Sequence, residues 1–288
     1  MPADARLQRQ LRVSEQLLAL DQQLAAIRQG SAKPKTPAQA IGLADFAMRE
    51  FKKEYGLAVR LFDAAFAVDA RLMAAHRYNA ARAAFLAAAG KGKDADKLDD
   101  KQQADLRQKA LAWLQGDLQA HAQSLQDLPS AALLPEKLKH WQSDQALFSV
   151  RDAKELAKLP EPEQESWREL WSEVGQLLKK ASAAFAETNL KGRLSAKDPE
   201  QVHEVKLSAG NTYVIDMASK EFDTYLRLET ANKKILTEND DIAPDNLNSR
   251  IIFTPKEDGL YRIIATSYQQ RARGAYTLTI REFRRKKE

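Results

Sequence analysis

The sequence predicts a multidomain α and β fold, an N-terminal all-α helical-repeat domain followed by a C-terminal antiparallel β-sandwich. Three observations carry this. Apolar residues recur at helical spacing, in Ala-rich sequence, up to about Ala186. From about Gln201 they alternate with period two and become β-branched and aromatic. Between these stretches, residues 187–200 hold Asn189, Gly192 and Asp198-Pro199 with little apolar content, and read as a linker. The expected division is residues 1–186 helical, 187–200 linker, 201–282 sandwich and 283–288 a basic tail.

A first helix is expected from about Ala3 to Gln29, because Val13, Leu17, Leu20, Leu24 and Ile27 step by four and three to make one apolar seam. The seam is short, so packing on its own domain is favoured over a free coiled-coil dimer. Thr36-Pro37-Ala38-Gln39 reads as the next helix start, with Thr36 as cap, Pro37 at the first helical position and Gln39 completing a capping box. Further helices are expected at about Leu134–Ser143, Asp152–Leu159 and Pro162–Ala184, the last with a stripe of Trp167, Leu170, Trp171, Val174, Leu177 and Leu178.

Within the helical half, Ala58, Phe62 and Ala65 fall at intervals of four and three, followed by Asp69-Ala70. A small residue there lets a neighbouring helix approach while the aromatic fills the groove between paired helices. This pattern resembles the second helix of a tetratricopeptide repeat, with Leu43–Phe51 as the first helix of the pair. A second pair follows in Tyr78–Ala89 and the helix holding Ala110 and Leu114. The run Ala74 to Ala81, the loop GKGKDADKLDD and Ala110–Leu114 resemble the helical region of bacterial serine/threonine kinase-type signalling proteins, over roughly residues 40–180. Stacked helix pairs lean on their neighbours and leave a curved surface suited to a protein or peptide. Tyr55, Phe62, Tyr78, Trp113 and Trp141 are the candidate partner-binding residues, against the competing reading that most of them serve the helical core.

Strands are expected at Val202–Leu207, Asn211–Met217, Thr224–Glu229, Lys234–Thr237, Arg250–Thr254, Gly259–Thr266 and Ala275–Ile280. Val205/Leu207, Tyr213/Ile215/Met217, Ile251/Phe253, Tyr261/Ile263/Ala265 and Tyr276/Leu278/Ile280 each place one apolar set on one face, and two such faces make a sandwich core. The ordered series Leu207-Ser208-Ala209-Gly210-Asn211, Phe222–Leu226, Glu238–Asp241, Asn248–Ile251, Asp258–Tyr261 and Gly274–Leu278 resembles the bacterial pre-peptidase C-terminal (PPC) domain. That resemblance implies a small β-sandwich appendage of the kind attached to secreted proteases, and it points outside the cytoplasm. Some collagenase relatives bind calcium and collagen.

Clustered Asp and Asn on one loop can supply the oxygens calcium takes, which makes Asp240, Asp241 and Asp245 candidate calcium ligands beside Glu238, Asn239 and Asn246. The loop lacks the spacing and central glycine of an EF-hand, so Asx-turns and a solvated charge cluster are the competing structural reading. No other cofactor is expected. Cysteine is absent, which excludes disulfides and Cys-based metal or thiol chemistry. The four histidines form no HxxxH or HxH pair, and no Walker, GxSxG, SxxK, HRD or DFG pattern occurs. The excess of 45 Lys/Arg over 40 Asp/Glu is spread across both halves, so no nucleic-acid partner is expected. No apolar run is long enough to cross a membrane, and the first 30 residues carry no secretory signal.

The expectation is therefore a non-enzymatic interaction or accessory protein. Its repeats bind a protein or peptide, and its sandwich docks or spaces. The alternative is the regulatory or extracytoplasmic C-terminal portion of a larger kinase-type or secreted hydrolytic enzyme. Localisation and oligomeric state stay open.

Overall fold

The structure is a computed structural model, which describes residues 3–94, 98–183, 185–243, 246–268 and 272–284. The chain forms an N-terminal helical region followed by two four-stranded antiparallel sheets. It divides into two compact units, one of residues 1–120 and 141–174, the other of residues 121–140 and 175–288.

The first unit is built from α1 (Ala3–Arg28), α2 (Pro37–Ala47), α3 (Tyr55–Val68), α4 (Met73–Ala88), most of α5 (Asp100–Ser124), a 3₁₀ segment (Gln145–Val150), the short α7 (Ala153–Leu156) and the first part of α8 (Glu161–Ser182). α2 begins at the predicted Thr36 cap, but Gln39 bonds the N–H one residue before the cap in place of the reciprocal capping-box bond. Thr36 accepts a hydrogen bond from the Gln39 N–H at 3.1 Å, while the Gln39 side chain reaches back to the Lys35 N–H at 2.6 Å. Alanines bring the helices close. Ala44, Ala47, Ala58, Ala65, Ala80 and Ala84 are all buried, and aromatic rings fill the space they leave. Phe62 stacks on Phe66 at 5.9 Å, Phe66 meets Trp113 edge-on, and Phe85 meets Trp167 edge-on at 5.4 Å.

The start of α3 has no cap of its own, because Glu54 at that position makes no capping bond. Asp94, from the loop after α4, does the work instead. Its carboxylate accepts the Gly56 and Leu57 N–H groups at 3.2 and 2.8 Å, placing negative charge at the positive end of the helix.

In the second unit one sheet has the order β1-β8-β3-β6 and the other β2-β7-β4-β5. The strands are β1 (Phe185–Leu194), β2 (Glu200–Leu207), β3 (Thr212–Ala218), β4 (Thr224–Thr230), β5 (Ile235–Asn239), β6 (Ser249–Phe253), β7 (Gly259–Ser267) and β8 (Gly274–Phe283). Alternate residues meet between the sheets, including Leu207, Tyr213, Ile215, Met217, Leu226, Leu228, Ile263 and Leu278. The outer face of the first sheet is also covered. Ala132 of α6 (Leu128–Ser143) packs with Val214 and Phe283, and Glu136 of the same helix meets two arginines. Arg250 and Arg281 each bind Glu136, at 2.8 and 2.7 Å, and each also binds Asp216. Burial alone would raise the Glu136 pKa, but the two guanidinium groups hold it below the usual carboxylate range.

One expectation is corrected. Residues 187–200 are not a linker across their length, because Phe185–Leu194 is strand β1, paired antiparallel with β8 from Phe185↔Phe283 to Leu194↔Gly274. The strand was hidden by its composition. It is an edge strand, and at Gly192 its inward position is filled by a neighbour, since a Cβ there would stand 2.2 Å from the Tyr276 ring. Of the basic tail, residues 285–288 lie outside the described residues. Gly192→Ala should therefore destabilise the sandwich by about 1–3 kcal/mol through overpacking, measured by urea denaturation. An unchanged midpoint would contradict the close approach of Tyr276.

Candidate functional site

The five aromatics the sequence singles out lie mostly inside the helical unit. Tyr55, Phe62, Trp113 and Trp141 are buried and Tyr78 is half-buried. Tyr78 and Trp141 do meet, stacked at 5.3 Å. Of the five, only Tyr55 lines either of the two cavities beside the 3₁₀ segment.

The centre of this arrangement is Asp144, only 8% exposed and placed at the start of the 3₁₀ segment. Its Oδ1 accepts the Ala146 N–H at 2.8 Å, capping the segment. Its Oδ2 accepts the Tyr78 hydroxyl at 2.8 Å and faces the Arg82 Nε at 2.6 Å. Burial first, and then the adjacent Asp144 carboxylate, push the Tyr78 phenol far above its usual pKa, so the hydroxyl stays a donor. Arg151 closes the other end of the segment by donating to the Trp141 and Asp144 carbonyl oxygens at 3.0 and 2.9 Å, and its guanidinium lies over the Trp171 ring. Trp171 Nε1 in turn donates to the Val150 carbonyl at 2.7 Å. The 3₁₀ segment is thereby held at both ends.

Two adjoining cavities open against this held segment. One, about 450 Å³, is lined by Phe85, Ala88, Ala89, Phe148, Val150 and Leu159 with Lys91, Arg107, Glu155 and Lys158. The other, about 520 Å³, is lined by Met48, Tyr55 and Leu86 with Glu50, Lys53, Arg82, Lys91 and Asp144. Lys91, Gln145 and Ala146 line both, so the two cavities flank these three residues and together form the groove region of the helical unit. Phe148 stands 44% exposed on its wall.

The charges in the groove are mostly spoken for. Arg107 is bidentate to Glu163 at 2.7 and 2.8 Å, Lys158 binds Glu155 at 2.7 Å, and Lys53 binds Glu50 at 2.7 Å. Lys91 is different, having no ion pair among the described residues. It is fixed at its base by the end of α4, where Gly90 takes φ +68° and the Lys91 N–H bonds the Leu86 carbonyl at 3.0 Å. Sequence reasoning missed Lys91, Gln145 and Phe148. Lys91 lies in the GKGKDADKLDD loop, which fits no Walker pattern, and Phe148 sits in a segment with no helical period.

In the acidic loop of the sandwich, the described candidate residues Asp240 and Asp241 take part in local turn hydrogen bonds. Asp240 Oδ1 accepts the Asp241 N–H at 3.0 Å, the Asn239 amide donates to the Asp241 carbonyl, and Asn239 Oδ1 accepts the Arg250 N–H at 2.8 Å. Asp245 lies outside the described residues. Among the described residues no group of three or more His, Asp or Glu is placed to hold a metal ion. Asp223 stands near this loop, and its Oδ1 and that of Asp241 are buried without hydrogen-bond partners among the described residues.

No family model matches the chain, and no curated protein matches it. Among solved structures the chain is similar to the pre-peptidase C-terminal domain of a collagenase from Bacillus anthracis, at 16% identity and TM-score 0.28, over 33% of this chain and 88% of that one. It is similar also to PliG from Aeromonas hydrophila, a periplasmic lysozyme inhibitor of g-type lysozyme, at 13% identity and TM-score 0.28, over 33% of this chain and 85% of that one.

The Asp223 environment sets a pH dependence. Burial, and then the charges of Asp241 and Asp240, raise its pKa above the ordinary 3.8. The folded state therefore holds this proton more tightly than the unfolded chain, and stability falls as pH rises from the unfolded pKa through the folded one. Asp223→Asn should be more stable than the parent at pH 7 and show no advantage at about pH 3, below both pKa values, as read by chemical denaturation at the two pH values. An advantage of equal size at both would contradict the assignment.

Proposed function

We propose that this chain is a non-enzymatic interaction module. Its helical unit takes an extended segment of a partner protein into the groove along the 3₁₀ segment, and its sandwich serves as a docking or spacing domain. The observation that supports this reading is the pair of neighbouring cavities whose linings share Lys91, Gln145 and Ala146. A partner segment of several residues matches two neighbouring cavities better than a compact metabolite does. The lining favours a particular chemistry. Phe148 and its apolar neighbours suit an aliphatic or aromatic side chain, and the ammonium of Lys91, without an ion pair among the described residues, suits an Asp or Glu beside it.

The remaining charges of the groove are engaged in ion pairs, which fits recognition better than reaction. We carry the tetratricopeptide-like arrangement as part of the same reading, with α2 and α3 as one helix pair and α4 and α5 as the next. The PPC-like character of the sandwich belongs to it as well, as an appendage rather than a catalytic body. Among the described residues no helix is long and apolar enough to cross a membrane.

A displayed peptide library selected on the immobilised chain tests the proposal. Enrichment of sequences that place Asp or Glu next to a large apolar residue is expected, with binding reduced about tenfold or more by Lys91→Glu or Phe148→Asp. If selection gives no enrichment over the Lys91→Glu/Phe148→Asp double variant, the groove is not the binding site.

A further inference from the structure

α1 carries two apolar stripes, and the helical unit uses one of them. At about 100° per residue, Leu17, Leu20 and Leu24 lie ~120–180° around the helix from Leu11, whereas Leu18 lies only ~20° from it. The first stripe turns toward the rest of the unit. It includes Leu24, 1% exposed, near the end where Gln39 Nε2 of α2 donates to Gln23 Oε1 and Lys52 binds Asp21. The second stripe faces away. Leu11 and Leu18 are each 59% exposed, and the intervening Arg12, Ser14, Glu15 and Gln16 are exposed as well.

We propose that the Leu11/Leu18 stripe is a self-association surface, and that its partner is the same stripe on a second copy of this chain, running antiparallel. Two features select that partner. The leucines are seven residues apart, so a twofold axis between residues 14 and 15 sets Leu11 on Leu18 of the second copy, and Leu18 on its Leu11. The flanking charges then select the direction. Arg12 and Glu15 lie ~100° and ~40° from Leu11, on the same side of the stripe. In an antiparallel pair like flanks meet, so Arg12 comes beside Glu15 of the second copy and both symmetry-related pairs are attractive. A parallel pair sets opposite flanks together and leaves these charges apart. Glu15 and Arg12 make no ion pair within the chain among the described residues, so both stay available.

Sedimentation equilibrium on the 288-residue chain tests this. A dimer is expected at about 100 µM, the range a small interface supports. Leu11→Asp/Leu18→Asp should be monomeric with an unchanged melting temperature, since neither side chain is used in the unit's interior. Arg12→Glu should weaken the dimer about tenfold by opposing like charges, and Arg12→Glu/Glu15→Arg should restore it. A chain that stays monomeric at that concentration overturns the proposal, as does a dimer indifferent to the leucine variant. Failure of the charge swap to restore association overturns the antiparallel pairing.

Discussion

One buried carboxylate, Asp144, holds the 3₁₀ segment of the helical unit against α4. Taking Asp144 out of water is costly, and the structure meets the cost with a hydroxyl from Tyr78, a guanidinium from Arg82 and a backbone N–H from Ala146. Breaking such an arrangement by removing one member leaves an uncompensated charge, a penalty of about 3–5 kcal/mol in comparable buried pairs. Because Tyr78 and Arg82 belong to α4 and Ala146 to the 3₁₀ segment, the same contacts fix one wall of the groove against another. The shape at Lys91, Gln145 and Phe148 is thus a consequence of satisfying Asp144.

The second unit solves its packing with the same chemistry at another place. The sandwich buries its inner faces by alternation alone, but the outer face of the β1-β8-β3-β6 sheet carries Asp216, Arg250 and Arg281 beside Val214 and Phe283. A mixed face of this kind cannot be covered by an apolar helix without stranding charge. α6 supplies Ala132 for the apolar part and Glu136 for the arginines, so its sequence is complementary to the sheet in both respects.

Much of this was legible in the sequence, and the exceptions have physical causes. Most of the strands from β2 to β8 were readable from an alternating apolar set facing one core, whereas the edge strand β5, with Ile235 and Leu236 exposed, was readable from its β-branched run and flanking turns. β1 was not, because its inward position at Gly192 is occupied by a ring from β8, which no property of β1 announces. The helix start at Thr36 was readable from local chemistry, while the start of α3 depends on Asp94, 37 residues from the N–H it caps at Leu57. For the groove, the sequence singled out Tyr78 and Trp141 as aromatics that either bind a partner or serve the core, but did not reveal their stacking on each other beside Asp144. Periodicity passed over Lys91 and Phe148 because isolated residues between helices carry no period. The α6 contact was hidden for a similar reason, since Glu136 reads as an ordinary solvated position until Arg250 and Arg281, more than a hundred residues later, are placed beside it.

Hydrogen exchange on Asp144→Asn examines the dependence of the groove on this carboxylate most directly. The substitution keeps the size of the side chain and removes its charge, leaving Arg82 without its counter-ion. Amides of residues 145–150 should exchange at least about tenfold faster, in line with loss of a buried charge pair, while those of β3 and β8 keep the parent's protection. Unchanged exchange across residues 145–150 would contradict the account, because the groove wall would then stand without the interaction held to support it.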